Sequence, residues 1–158
     1  MINKKTLIMG IGNYLMCDEG VGVHAAENIS MLDWPANVYV LDGGTGGFHL
    51  LEYFEKNDHV VLIDATLDGG EPGTIRKIKP KFARDFPPAM STHDIGLKDM
   101  ISALQFMEKM PEIDLFVVSI ASIQEQGIEL TPKVKEAIPE LIRMIRKLIT
   151  ENADHKES

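Results

Sequence analysis

Acidic and imidazole side chains recur where a predicted strand gives way to a turn or a helix. Glu19 follows the first such strand, Asp42 and Asp64 end the second and third, and His93 precedes a later helix. Parallel strands end at a common edge, where open α/β sheets bind their ligands. The sequence therefore predicts that these four residues can meet. Two carboxylates and an imidazole suit a divalent transition ion, and residue type alone does not choose between zinc and nickel.

Each of these residues also has a purely structural interpretation. Asp42 and Asp64 can cap the turns that follow their strands, and His93 can cap its helix or face solvent. Asp18 is interpreted as a cap of the helix that begins just after it, where a carboxylate stabilises free N–H groups. Cys17 is interpreted as a partly buried thiol. Three further histidines are interpreted as structural: His24, His49 and His59.

Short apolar segments alternate with amphipathic ones along the chain. The apolar segments predict strands at residues 6–9, 38–41, 59–65, 74–78 and 113–120. The link at residues 68–72 is too short for a crossover helix, so the fourth strand is predicted to be an antiparallel edge strand. We therefore predict a three-layer α/β/α fold with a twisted, mainly parallel sheet of about five strands and one antiparallel edge strand.

Apolar residues spaced by three and four predict the helices between these strands. One helix is predicted at residues 21–32, and another is expected to start at a capping box formed by Ser91 and Asp94. The final helix is predicted to open at Thr131 and to kink at Pro139. Residues 1–150 are predicted to form a single domain and residues 151–158 a frayed polar tail.

Composition narrows the classes of partner. The 158 residues carry a net charge of −8, which argues against nucleic acid or an anionic membrane as the main partner. No leader or membrane-spanning segment is indicated, and the single cysteine favours a reducing compartment, so a cytoplasmic protein is expected. Gly10 and Gly12 begin a dinucleotide fingerprint, but Leu15 replaces its third glycine, so no nucleotide cofactor is expected.

Five ordered motifs carry a family resemblance: GIGNYLMCDEGVG, LDGGTGG, VVLIDA, STHDIGL and GIELTP. From about residue 7 to residue 146 the chain resembles the nickel-iron hydrogenase maturation endopeptidases. That family removes a carboxyl-terminal extension from the hydrogenase large-subunit precursor after nickel insertion. The resemblance implies that the precursor is the partner and that nickel arrives with it.

Site residues follow from the resemblance by position. It implies metal-engaging and catalytic roles for Glu19, Asp64 and His93. It implies a substrate-contact or structural role for Asp42, Gly43 and Gly44. Two alternatives stay open: a nickel-binding assembly chaperone that uses the same ligands without turnover, and an enzyme like the peptidyl-tRNA hydrolases, which also carry a strand followed by Gly-x-Gly-Asn.

Overall fold

The computed structural model describes residues 4–45, 47–87, 90, 97–121 and 126–157. His93 and the predicted capping pair, Ser91 and Asp94, lie outside the described residues. The strands are β1 (Thr6–Ile11), β2 (Val38–Gly44), β3 (His59–Thr66), β4 (Ile75–Ile78) and β5 (Glu112–Ser119). The α-helices are α1 (Val21–Ser30), α2 (Leu51–Lys56), α3 (Leu97–Phe106) and α4 (Pro132–Glu157). Short 3₁₀ turns lie at Cys17–Gly20, Phe48–Leu50 and Ala83–Asp85.

One sheet joins the strands in the order β2-β1-β3-β5-β4. The strands β2, β1, β3 and β5 are mutually parallel, and β4 pairs antiparallel with β5 at the edge. The predicted fold class is confirmed. After β1 the chain passes to β2 on one side and then to β3 on the other. Such a reversal of strand order opens a crevice beyond the carboxyl ends of β1 and β3, the usual ligand site of an open α/β sheet.

Both faces of the sheet are covered by helices, which explains why β3 is apolar almost throughout. Val61 and Ile63 pack into one core layer with α1 and α4. Val60 and Leu62 pack into the other layer with α3 and Phe54 of α2. Side chains alternate between the faces of a strand, so Asp64 continues the second row, on the α2 and α3 side.

Several element boundaries differ from the predicted ones by one to a few residues, and three of them bear on the site or on the predicted tail. β2 continues to Gly44, so Asp42 lies within the strand rather than at its end. β3 continues to Thr66, because its ladder with β5 extends to the Thr66 and Ser119 pair. Residues 151–157 are helical in place of the predicted frayed tail. Lys147 and Glu151, one helical turn apart, lie 4.0 Å from each other and support the start of this extension.

A buried hydrogen bond between a histidine and an aspartate ties β3 to β5 at the edge opposite the crevice. Nε2 of His59 lies 2.6 Å from Oδ2 of Asp114, and both side chains are almost fully buried. Lys79 lies 3.9 Å from the other carboxylate oxygen and pairs with Glu112. Burial raises the pKa of Asp114, but the hydrogen bond and charge of His59, with the charge of Lys79, hold the pKa below its usual value.

We expect Asp114→Asn to lower the free energy of unfolding by about 1–3 kcal/mol near neutral pH, because it removes a buried charge partner of His59. The lowered pKa means that this stabilisation is present above about pH 4 and is lost as pH falls through the folded-state pKa. Urea unfolding across that range measures it. Glu71→Gln, which breaks an exposed pair with Lys133, should change stability little. If both variants lowered the free energy of unfolding equally near neutral pH, the stabilising role given to the pair of His59 and Asp114 would be contradicted.

Candidate active site at the carboxyl edge

The crevice begins where β1 and β3 stop pairing. Their ladder ends at Gly10 and Ile63, so Asp64 is the next residue of β3 beyond it. β3 continues to pair with β5 past this point. The Asp64 side chain has no solvent-exposed area in the structure. Asp64 therefore lies at the switch point of the sheet, as its position after an apolar strand predicted.

A glycine lets α1 begin inside the same crevice. A Cβ atom on Gly22 would overlap the carbonyl oxygens of Ile11 and Ile63, and a Cβ on Gly10 would overlap the carbonyl of Gly22. The first turn of α1 therefore lies against the backbones of both β1 and β3. This is the close helix–strand packing that the third glycine provides in a dinucleotide fold. The sequence analysis missed Gly22, although its place one residue into the helix was a usable signal.

Glu19 reaches the crevice on the turn just before this helix. The 3₁₀ turn Cys17–Gly20 lies next to β3, with Cα atoms of the two segments within 8 Å of each other. The N–H of Glu19 donates to the carbonyl of Met16 at 3.1 Å, which closes the turn. Glu19 is partly exposed and Asp64 is buried. The structure thus places the turn that carries Glu19 next to the strand that carries Asp64.

Asp18 does not cap the helix that follows it, which corrects the sequence interpretation. Neither the 3₁₀ turn nor α1 has a side-chain cap. Asp18 is instead buried and accepts two hydrogen bonds from Thr131, one from the backbone N–H at 2.8 Å and one from the hydroxyl at 2.7 Å. Thr131 directly precedes α4. The carboxylate therefore joins the Glu19 turn to the start of a helix 113 residues away, which no local pattern could indicate.

Backbone bonds to a second loop fix the same turn. The N–H of Cys17 donates to the carbonyl of Gly127, and the N–H of Gly127 donates to the carbonyl of Leu15, each at 2.8 Å. Cys17 has a φ of 49°, a left-handed conformation that costs free energy for a residue with a side chain. Together with the bonds between Asp18 and Thr131, these contacts hold the turn that carries Glu19.

His93 lies outside the described residues, but both flanks of its segment are placed. Met90 forms an antiparallel bridge with Thr66, two residues past Asp64 on β3. α3 begins at Leu97, and Leu97 packs in the core layer on the face that Asp64 continues. Met90, which precedes the undescribed segment, therefore lies at the carboxyl end of β3.

Asp42 lies at the same edge but two strands away from β3. It pairs with Gly10 of β1, which in turn pairs with Ile63, so roughly 10 Å separates Asp42 from the Asp64 strand. Its Oδ1 accepts a hydrogen bond from the N–H of Gly44 at 2.9 Å, and Gly44 has a φ of 52°. Asp42 thus lies two strands from Asp64, with one carboxylate oxygen bonded to the N–H of Gly44, and the meeting of all four acidic and imidazole groups stays a prediction.

Gly43 and Gly44 join β2 to β1 at this edge. A Cβ on Gly43 would lie 2.9 Å from the sulfur of Met9, so an added side chain would crowd the core beneath it. The carbonyl of Gly44 accepts a hydrogen bond from the N–H of Gly12 at 2.9 Å. These contacts give both glycines a structural role, and substrate contact by them stays a prediction.

The loop after β3 is held by an aspartate. Oδ1 of Asp68 accepts hydrogen bonds from the N–H of Gly70 and from the hydroxyl of Ser119, both at 2.9 Å. Arg76 of β4 lies 3.2 Å from the other oxygen. The Gly70 N–H, followed by the Ser119 hydroxyl and the Arg76 charge, lowers the pKa of Asp68 against a smaller opposing effect of burial. The loop that follows β3, a few residues after Asp64, is thereby linked to β4 and β5.

The described part of the site supplies two carboxylates at one crevice. Within that part of the chain, no cluster of three or more histidine, cysteine or acidic residues is arranged to hold a metal ion. The third predicted ligand, His93, lies in the undescribed segment. Carboxylates so placed can accept a proton from water or act as oxygen ligands. Such groups are among those that peptide hydrolases use for general acid–base chemistry.

The chain matches a family model described as hydrogenase maturation protease over residues 23–148. It is 33% identical over 153 residues to the hydrogenase expression/formation protein HupD of Bradyrhizobium diazoefficiens, covering 94% of this chain and 80% of that protein. It is 32% identical over 151 residues to the hydrogenase 2 maturation protease of Escherichia coli, covering 94% and 92%. The fold matches the hydrogenase maturating endopeptidase HybD from E. coli with a TM-score of 0.85 and 32% identity, covering 94% and 93%.

These findings define the class of protein as a peptidase on an open α/β sheet. The chain belongs to the hydrogenase maturation protease family. The resemblance noted in the sequence is confirmed, as is the prediction of an endopeptidase acting in hydrogenase maturation. The family match gives no support to the chaperone or to the RNA-linked hydrolase. Among the described residues, no helix is both long and apolar enough to span a membrane.

We expect Gly22→Ala to destabilise the protein by about 1–3 kcal/mol, because the added methyl group overlaps two strand carbonyls that cannot move independently. Thermal unfolding measures the effect. The matched control is Gly69→Ser, at an exposed loop glycine where an added Cβ would have no atom within 4 Å. That control adds backbone strain, since Gly69 has a φ of 79°, but no overlap. A stable Gly22→Ala protein would show that α1 does not start against the strands.

We expect Asp18→Ala to lower the free energy of unfolding by about 1–3 kcal/mol, because the N–H and hydroxyl of Thr131 both lose their acceptor. Thr131→Val removes only the hydroxyl bond and should cost less. Urea unfolding of both variants gives the comparison. Asp33→Ala, at an exposed acid after α1, should fall within about 0.5 kcal/mol of the parent. A neutral Asp18→Ala would overturn the link between the turn and α4.

Proposed function

We propose that the protein removes the carboxyl-terminal extension from the large-subunit precursor of a nickel-iron hydrogenase after nickel insertion. Glu19, Asp64 and His93 engage the nickel that the precursor carries. The observation that supports this proposal is the contact between the turn that carries Glu19 and β3, in which Asp64 is the first residue beyond the ladder with β1. Membership of the hydrogenase maturation protease family supports the reaction class.

The arrangement of the two acids suits recognition of a bound ion. Asp64 is buried at the base of the crevice and Glu19 is partly exposed on a turn fixed by Thr131 and Gly127. A rigid carboxylate and a more accessible one can close on an ion that arrives inside another protein. His93 completes an oxygen and nitrogen set suited to nickel. The flanks of its segment, at Met90 and Leu97, support this assignment.

The same groups can carry out hydrolysis. A nickel ion in the precursor supplies a Lewis acid near the scissile carbonyl. A carboxylate of Glu19 or Asp64 accepts a proton from the attacking water, and the proton is then available to the leaving amine. Asp42 and the adjacent glycines lie roughly 10 Å along the same edge, a distance that suits contact with the polypeptide rather than with the ion.

We expect Glu19→Gln, Asp64→Asn and His93→Ala each to reduce trimming of nickel-loaded precursor by roughly 100-fold or more, because each removes a proton acceptor or a ligand. Purified protein is incubated with the precursor, and the released tail is detected by mass. Circular dichroism checks that each variant is folded. Glu55→Gln, at an exposed acid on α2, is the matched control and should trim normally. Normal trimming by any one site variant would remove that residue from the site.

Nickel dependence is tested separately with precursor prepared without the metal. If the ion is the signal that the site recognises, metal-free precursor should stay uncut under the same conditions. Equal cleavage of both forms would end the proposal of nickel recognition but leave the peptidase activity in place.

A further inference from the structure

A second concave site lies beside the Glu19 turn, between α1 and the start of α4. It is a cleft of about 580 Å³, within the size range of ligand sites. Its lining includes Tyr14, His24, Asn28, Ile128, Lys135 and Pro139. None of these residues belongs to the crevice described above. The cleft combines aliphatic side chains with a few polar groups, as binding sites for organic ligands do.

The imidazole of His24 leaves one hydrogen-bonding atom unused in this cleft. Its Nε2 is shielded from solvent and has no hydrogen-bond partner among the described residues. The ring stacks on Tyr14, with centroids 4.8 Å apart and an interplanar angle of 26°. A buried polar atom without a partner costs free energy, and such an atom in a native protein calls for an explanation. A ligand that forms a hydrogen bond to Nε2 explains why this nitrogen has no partner within the protein.

Pro139 removes a helical hydrogen bond on the facing wall of the cleft. Proline has no N–H, so Pro139 cannot donate the helical bond to the carbonyl of Lys135, four residues earlier in α4. Both residues line the cleft. A proline inside a helix costs about 3 kcal/mol, and α4 is otherwise a long amphipathic helix. The cleft thus pairs a free imidazole nitrogen with a backbone carbonyl that Pro139 leaves without its helical donor.

The cleft is continuous with the loops that hold the catalytic turn. Tyr14 lies five residues before Glu19 in the same loop, and Ile128 follows Gly127, which bonds to both Leu15 and Cys17. Ile128 is 52% exposed and Leu15 is 63% exposed, so aliphatic surface extends from the cleft toward the turn. A polypeptide bound at Glu19 can therefore run across this surface into the cleft.

We propose that the cleft binds an extended segment of the substrate polypeptide, with an apolar side chain between Ile128 and Pro139 and polar backbone groups bonded to His24 and Lys135. This inference rests on the proposed function, because it takes the precursor as the occupant. Peptide N–H and C=O groups match the two unused groups, and an apolar side chain matches the aliphatic lining. The cleft sets which sequences are held, and the crevice performs the cleavage.

The test fills the cleft without touching the core. Asn28 is exposed on α1 one turn from His24, so Asn28→Trp places a bulky ring in the cleft. We expect the KM for precursor trimming to rise about tenfold or more while kcat stays within about twofold, because only ground-state binding is lost. Ser30→Trp, at an exposed position on another side of α1, is the matched control and should leave both constants unchanged.

His24→Phe separates binding from folding. It keeps an aromatic ring against Tyr14 but removes the unpartnered nitrogen, so the melting temperature should stay the same or rise. The KM should still rise severalfold. An unchanged KM in both Asn28→Trp and His24→Phe, with normal trimming by the parent protein, would overturn the cleft assignment alone. Absence of trimming by the parent would overturn the proposed function and the inference together.

Discussion

The site depends on how closely α1 approaches two strands. Because Gly22 has no side chain, the first turn of the helix lies against the carbonyls of Ile11 and Ile63. Gly10 of β1 allows the same approach, since a Cβ atom there would overlap the carbonyl of Gly22. That contact fixes the preceding 3₁₀ turn beside β3. It occurs where β1 and β3 stop pairing, so one approach of backbone to backbone both closes the core and holds the turn that carries Glu19 next to the strand that carries Asp64.

Two neighbouring acids then serve different purposes. Asp18 is buried and uses both oxygens to bind Thr131, while Glu19 stays partly exposed at the crevice. The first carboxylate stabilises the turn through a helix distant in sequence, and a role in the chemistry is proposed for the second. The backbone hydrogen bonds that Gly127 makes with Leu15 and Cys17 also stabilise this turn. A partner that binds at this turn therefore meets a surface that is already ordered, which lowers the entropic cost of association.

Much of the fold follows from local patterns in the sequence. The apolar strand at residues 59–65, the edge strand with its basic residues and the Thr131 start of α4 were predictable because each depends on neighbouring residues. What could not be predicted depends on long-range contacts. The role of Asp18, the packing of Gly22 and the separation of Asp42 from Asp64 all follow from strand order, which periodicity does not encode. The cleft at His24 and Pro139 likewise exists only when α1 and α4 pack together.

The most direct test of this account is a crystal structure of the protein with nickel, with the ion located by anomalous scattering. The account predicts one site at the switch point, with an oxygen of Glu19 and an oxygen of Asp64 each roughly 2–2.5 Å from the ion. Carboxylate oxygens of these two residues more than about 5 Å apart, with the ion bound elsewhere, would contradict it, since one ion cannot bridge that gap.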